Sequence, residues 1–456
     1  MGRFLKKSKW FIIVSIFAGL GLLQSCGKGF SPSTPSDTVN ALVGPPTAVL
    51  TMIATHNPNG GPPGISTPTP TNTFTSTSTG TPTNTATPSN TPTNSFTPTV
   101  TNTATVTNTP TQVNACVLNP AVTVVGQPAP GGNIYVGDLG ANQISVVTGS
   151  AQVASIPIAG QMGNMDFTPD GRRLYQTVSG IFGGPLNGFA VIDTDPASPT
   201  QGVVSYLQLD NTGVARVRID PQGRFAWFGD GCGLEALDIN PASATYHHVL
   251  GTAKGFTVGL DGEPGFTPDG HQLWWPEDGP FGNPSQIAVI NTDPSSPGFT
   301  SFREIPLPSG VNPQGISVSK DGTRAFVSMW GANNITVVNT ATLSVVTSFN
   351  GGSGFAPRGN VLSADGSVLW VVTDGGNFLK EFSVNTATDT YTFLGEVNFD
   401  SASNNVHFVR LSKDGTTAYV PGDNIPVLYE ALTTVPPTAL PSIPQAGMPV
   451  FLASHP

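Results

Sequence analysis

Two sets of charged residues recur at fixed places along this chain and could do chemistry. Arg216, Arg218, Glu263, Arg358 and Arg410 each stand four to seven residues before an Asp-Gly or Gln-Gly pair. A guanidinium fits a carboxylate in bidentate fashion and tolerates burial, so this set suits either bridging between neighbouring elements or holding a substrate in a channel. The second set is Asp138, Asp230, Glu277, Asp278, Asp374 and Asp423, each following a run of branched or aromatic residues and accompanied by Asn142, Asn283, Asn333, Asn334 and Asn377. Gathered on one face, these carboxylates would favour a cationic or hydrogen-bonding partner; Asp is also an ordinary turn former. Histidine offers less. His56, His247, His248, His271, His407 and His455 are scattered, and the adjacent pair would point to opposite faces of a strand. The chain has no haem-type Cys-x-x-Cys-His run and no Gly-x-Ser-x-Gly elbow. No catalytic residue, metal site or cofactor is therefore expected.

The elements that must position these groups are read from a repeat. Gly315 to Asn350 runs as four short strands: Ile316-Ser317-Val318, Ala325-Phe326-Val327, Ile335 to Val338, and Val345 to Phe349. Asp321-Gly322 turns the chain between the first two, glycine taking a positive φ at no steric cost. Such a sheet is apolar on both faces and must stack against copies of itself. The copies align on Asp170-Gly171, Gln222-Gly223, Asp269-Gly270, Asp321-Gly322, Asp365-Gly366 and Asp414-Gly415, spaced 52, 47, 52, 44 and 49 residues apart. Known propeller blades repeat at roughly 40–50 residues. Three residues before each pair stands an apolar side chain: Phe167, Ile219, Phe266, Val318, Leu362 and Leu411. A further unit precedes these six, with strands expected at Val122 to Val125, Asn133 to Val136 and Ile144 to Val147, while the last unit shows no clear fourth strand after Tyr429. The fold class predicted is all-β: a seven-bladed β-propeller of four-stranded antiparallel sheets, preceded by a disordered Thr/Pro/Asn-rich stalk.

The segments NIYVGD, AFVSMWGANNITVVNTAT and LSKDGTTAYVPGDN resemble the YVTN-type seven-bladed propeller repeats of bacterial and archaeal surface proteins. These repeats are in turn similar to the blades of lactonase propellers. The resemblance covers Val122 to Leu432 and implies the fold; it transfers no catalytic residue, because the matching positions are turns and strand cores. Gln222 departs from the turn aspartate, and the loops after Val178 and Pro276 are longer than in the other units.

Arg3, Lys6, Lys7 and Lys9 precede an apolar or small stretch from Trp10 to Leu23, too short for a bilayer-spanning helix of about 20 residues. This is the form of a secretory signal. Leu23-Gln24-Ser25-Cys26 resembles a bacterial lipobox, which implies lipidation at Cys26 and anchoring to a bilayer. From Thr38 to Gly137 there is no charged residue, and Ser66 to Thr111 is almost wholly Thr, Pro, Asn and Ser. Such a segment has no core to bury and stays extended. The expected domains are residues 1–25 as signal peptide, 26–113 as stalk, 114–435 as propeller and 436–456 as a Pro-rich tail.

Removal of the signal's four basic residues takes the formal charge from −10 to −14, which disfavours nucleic acid. Cys116 and Cys232 lie where a disulfide could link them in an oxidising compartment. The expectation is a monomer, exported and lipid-anchored at the outer membrane or cell surface, binding an envelope protein or glycan. The alternative is a lactonase-like hydrolase using the central channel.

Overall fold

The Ser-x-Asp-Gly turns organise the architecture. In the computed structural model, which describes residues 134–456 apart from 180–186, 210–213, 215, 231–232, 257–261, 278–284, 353, 375, 400–405 and 423–424, the Ser319 hydroxyl donates to Asp321 Oδ1 at 2.5 Å. The same oxygen accepts the Thr323 backbone N–H at 3.0 Å, and Gly322 takes φ +72°. Thr168/Asp170, Thr267/Asp269, Ser363/Asp365 and Ser412/Asp414 repeat the hydroxyl–carboxylate bond at 2.6 Å. In four blades a threonine from the end of the third strand clamps the turn from outside, as Thr194, Thr292, Thr340 and Thr433 donate to the carbonyls of Gly171, Gly270, Gly322 and Gly415. Side-chain hydroxyls and carboxylates thus satisfy backbone groups that the turns would leave bare. Where Gln222 replaces the turn aspartate, Asp220 has moved two places earlier and does its work. Asp220 Oδ1 accepts the N–H groups of Arg224 and Phe225. The amide of Gln222 is freed to donate to the Asp269 carbonyl of the next repeat at 2.9 Å.

Seven antiparallel sheets result, and the chain is an all-β seven-bladed propeller. Blade 5 contains Pro313–Val318, Arg324–Met329, Asn334–Asn339 and Ser344–Phe349, from the channel outward, and matches the expected strands within three residues. Seven clusters of buried side chains fill the seven seams between neighbouring blades. Trp227, Trp274 and Trp275 are fully buried there. Each large aromatic buries roughly 150–250 Å², worth several kcal/mol at about 25 cal/mol/Å².

Ring closure departs from the expected boundaries. The segment 436–456, expected as a tail, is part of the propeller. Pro449–Ser454 pairs antiparallel with Ile134–Asp138 and is the innermost strand of blade 1, with Gln143–Thr148 and Ala151–Pro157 outside it. Val122 to Val125, expected to fill that inner place, lies outside the described residues. The physical reason is alternation: Leu452 faces the core shared with blade 7, while Phe451 and Ala453 face blade 2. The fourth strand of blade 7 is split into Thr438–Ala439 and Ile443–Pro444, both paired to Val427–Leu432. Proline at 436, 437, 441 and 444 lacks the N–H groups a continuous strand needs.

Candidate functional site

The inner strands run so close together that two of them require glycine. A Cβ at Gly359 would stand 2.5 Å from the His407 carbonyl oxygen and 3.1 Å from Glu263 Oε2, and one at Gly315 would meet the Arg358 carbonyl at 2.8 Å. The backbones bond directly across blade boundaries, Glu263 N–H to the Gln314 carbonyl at 2.7 Å and Gly359 N–H to the His407 carbonyl at 2.9 Å.

Arg410, on blade 7, donates through Nη2 to Glu263 Oε1 at 2.6 Å, joining it to blade 4. Arg218 of blade 3 lies 3.4 Å from Asp166 Oδ2 of blade 2, which also accepts the Ile219 N–H at 2.9 Å. Arg216 is placed over the rings of Phe408 and Phe451, 5.4 and 6.0 Å from their centroids. Arg358 makes the densest cluster. It stacks 4.6 Å over the Trp330 ring and donates to Asp374 Oδ2 at 2.9 Å and to Gln314 Oε1 at 2.8 Å, while the Trp330 indole donates to Asp374 at 3.2 Å. The inner arginines join blades through carboxylates and rings. Glu263 Oε2 is buried with no hydrogen-bond partner among the described residues.

The three second-strand loop carboxylates among the described residues are not exposed. Asp138 and Glu277 are fully buried, and Asp374 is half-buried beneath Arg358. Asp138 Oδ2 accepts the Gly447 N–H at 2.8 Å, and so fastens the approach to the closing strand. Burial pushes its carboxyl above the usual range, against the opposing pull of the Gly447, Ala141, Ala446 and Gly140 N–H groups. The Asp230 side chain, Asp278 and Asp423 lie outside the described residues, as do Cys26, Cys116 and Cys232. Among the described residues no group of three His, Cys, Asp or Glu side chains could hold a metal ion.

Several partners were missed from the sequence: Asp166, Gln314, Trp330, Phe408 and Phe451. One had a signal. Asp166 occupies the same column as Arg218 and Arg410, two residues before the turn's Thr, Asp or Ser, so opposite charges were already aligned on neighbouring inner strands. The face of the Asp-Gly turns holds further arginines, Arg172, Arg173, Arg224 and Arg324; Arg324 clasps Asp389 of blade 6 through bonds of 2.7 and 3.0 Å. On that face His247 adopts φ +63°, bonds the Tyr175 hydroxyl through Nε2 at 3.0 Å and stacks on Tyr246 at 3.8 Å. Burial pushes its imidazole down to about 4.

Fold and site together define a seven-bladed β-propeller whose inner charges are largely paired with one another. Among solved structures the chain is similar to the periplasmic gluconolactonase of Pseudomonas aeruginosa, with 19% identity, a TM-score of 0.56, and coverage of 71% of this chain and 99% of that one. It is similar to a proposed 6-phosphogluconolactonase from Bacteroides fragilis at 13% identity and TM-score 0.54, over 74% and 99% of the two chains. A functionally unknown protein from Desulfotomaculum acetoxidans matches at 16% identity and TM-score 0.55, over 71% and 99%. At these identities the likeness is one of fold. No protein-family profile and no curated protein matches the chain.

Proposed function

We propose that this chain is an exported, YVTN-type propeller, lipid-anchored through Cys26 and carried on the uncharged stalk, that acts as a binding module for an envelope protein or glycan. The observation that carries this reading is the pairing of inner-strand charges, between blades in Arg410 with Glu263 and Arg218 with Asp166, and within blade 6 in Arg358 with Asp374, where the same guanidinium reaches blade 5 through Gln314. Groups engaged in this way hold blades together, and activating a water or a lactone carbonyl would cost the ring those contacts. Recognition then falls to the loops and clefts of the two faces, the usual place for it on a rigid scaffold. The test is capture from envelope extract with the full chain carrying Cys26→Ser, expected to retain a specific partner. A lactone screen forms its counterpart. Hydrolysis that disappears in Glu263→Ala or Arg358→Ala, both still folded, would replace the binding module with a lactonase-like hydrolase.

A further inference from the structure

The face that carries the Asp-Gly turns is not the same all round the ring. In blades 2, 3 and 4 the third and fourth strands are joined by long loops, 194–203, 239–248 and 292–301, with the related sequences DTDPASP, DINPASA and NTDPSSP. In blades 5 and 6 the corresponding loops are only 340–343 and 386–389. Two long loops therefore wall the cleft between blades 2 and 3, whose volume is about 500 Å³. Small-ligand sites commonly fall between about 300 and 1,000 Å³.

We infer that this cleft binds an uncharged oligosaccharide, which rests on the binding-module reading above and names its partner class. The cleft is lined by three arginines, Arg172, Arg173 and Arg224, and three aspartates, Asp170, Asp193 and Asp195. The formal charges of the lining cancel, and Asp220 beside it pairs with Arg224, so the cleft offers no net positive field to an anion, while donors and acceptors alternate densely. Hydroxyl groups, each both donor and acceptor, match such a lining. Pro169, Ile239 and Pro241 add an apolar wall suited to the C–H face of a sugar ring.

The polar groups are also held in place before any ligand arrives. The hydroxyls of Ser198 and Thr200 both donate to Asp193 Oδ2 at 2.6 Å. Arg224 Nε donates to Asp220 at 2.7 Å, and its Nη2 to Gln222 Oε1 at 3.1 Å. Arg173 lies 5.6 Å over the Tyr246 ring, on which His247 also stacks at 3.8 Å. A lining fixed in this way saves the ordering cost that weak, hydroxyl-based recognition can least bear. Arg172 is the exception and the reachable donor. Its side chain is 68% exposed, with Asp195 3.4 Å from Nε.

The test uses the full chain with Cys26→Ser and three neutral probes, maltohexaose, cellohexaose and chitohexaose, beside an anionic hexagalacturonate, followed by titration calorimetry. At least one neutral probe is expected to bind, with a Kd that changes by less than about twofold between roughly 50 and 500 mM salt, since no net charge is involved. Arg172→Ala combined with Asn240→Ala alters exposed side chains of the cleft, the second also removing the bond that Asn240 Oδ1 accepts from the Ala242 N–H at 3.0 Å. This pair is expected to weaken binding about tenfold or more, the loss of one or two hydrogen bonds to charged or amide donors, with a fall in thermal midpoint of no more than about 4 °C for one exposed loop bond. His271→Ala, in the separate cleft between blades 4 and 5, should leave binding unchanged. Absence of binding by all three neutral probes overturns the inference, as does binding indifferent to the double substitution or a salt-sensitive preference for the anionic probe. If an envelope protein is captured while no oligosaccharide binds, this inference fails alone and the binding module stands.

Discussion

Shortening the chain at Val435 should prevent the propeller from closing. The truncation removes Pro449–Ser454, and with it the five residue pairs that this strand makes with Ile134–Asp138. It also removes both outer pieces of blade 7. A graded version is Leu452→Ala, because Leu452 is 1% exposed in the core between blades 7 and 1. Leucine-to-alanine changes in packed cores cost about 2–5 kcal/mol. With a midpoint shift of roughly 2–4 °C per kcal/mol for a large domain, about 3 kcal/mol corresponds to a fall of roughly 6–12 °C. Val345→Ala is the control: Val345 is 56% exposed on the rim strand of blade 5, and its replacement should cost no more than about 0.5 kcal/mol. Urea and thermal unfolding followed by tryptophan fluorescence reads both, since Trp227, Trp274, Trp275 and Trp370 lie in the blade seams. A chain ending at Val435 that unfolds cooperatively at the wild-type midpoint would refute closure by the C-terminal strand.

Arg410→Ala should destabilise the ring by about 3–5 kcal/mol, because it leaves the buried Glu263 carboxylate without its cation. Adding Glu263→Gln should recover part of that loss in urea unfolding, and a double variant no better than the single would count against the pairing. Glu381, 1% exposed, has its carboxyl pushed up to about 7 by burial, from 4.5. The folded state therefore holds a proton that the unfolded chain has released, and stability should fall by roughly 3 kcal/mol as pH rises from about 4.5 to 7. Glu381→Gln should flatten that slope in unfolding midpoints measured across the window, and an unchanged slope would exclude Glu381 as its source. Cys26→Ala should abolish labelling by a palmitate analogue and release the chain from the membrane fraction; equal labelling in both forms would rule out the anchor.

How much was legible in the sequence depended on whether a feature was local. The Asp-Gly turns, the apolar residue three places before each, and the strand after each are set within about ten residues of chain. Hydroxyl, carboxylate and glycine at fixed spacing make their own turn, and alternation of side chains fixes which faces are buried. Six blades followed from that pattern, and at the second of the six turns Asp220 does the work of the aspartate that Gln222 replaces. The arginines' role as bridges was also readable, as a guanidinium on an inner strand needs a partner, and Asp166 stood in the same column. Other features depended on the ring. That the last six-residue strand completes the first blade is a contact between segments over 300 residues apart, for which neither carries a local sign; a Pro-rich run reads as a tail until its neighbours are known. Burial of Asp138 and Glu277 likewise came from packing, because a carboxylate at a loop reads as exposed unless the chain that covers it is in view. Which arginine meets which carboxylate across the channel, Arg410 with Glu263 over 147 residues, was decided only when the seven sheets closed and set their inner strands side by side.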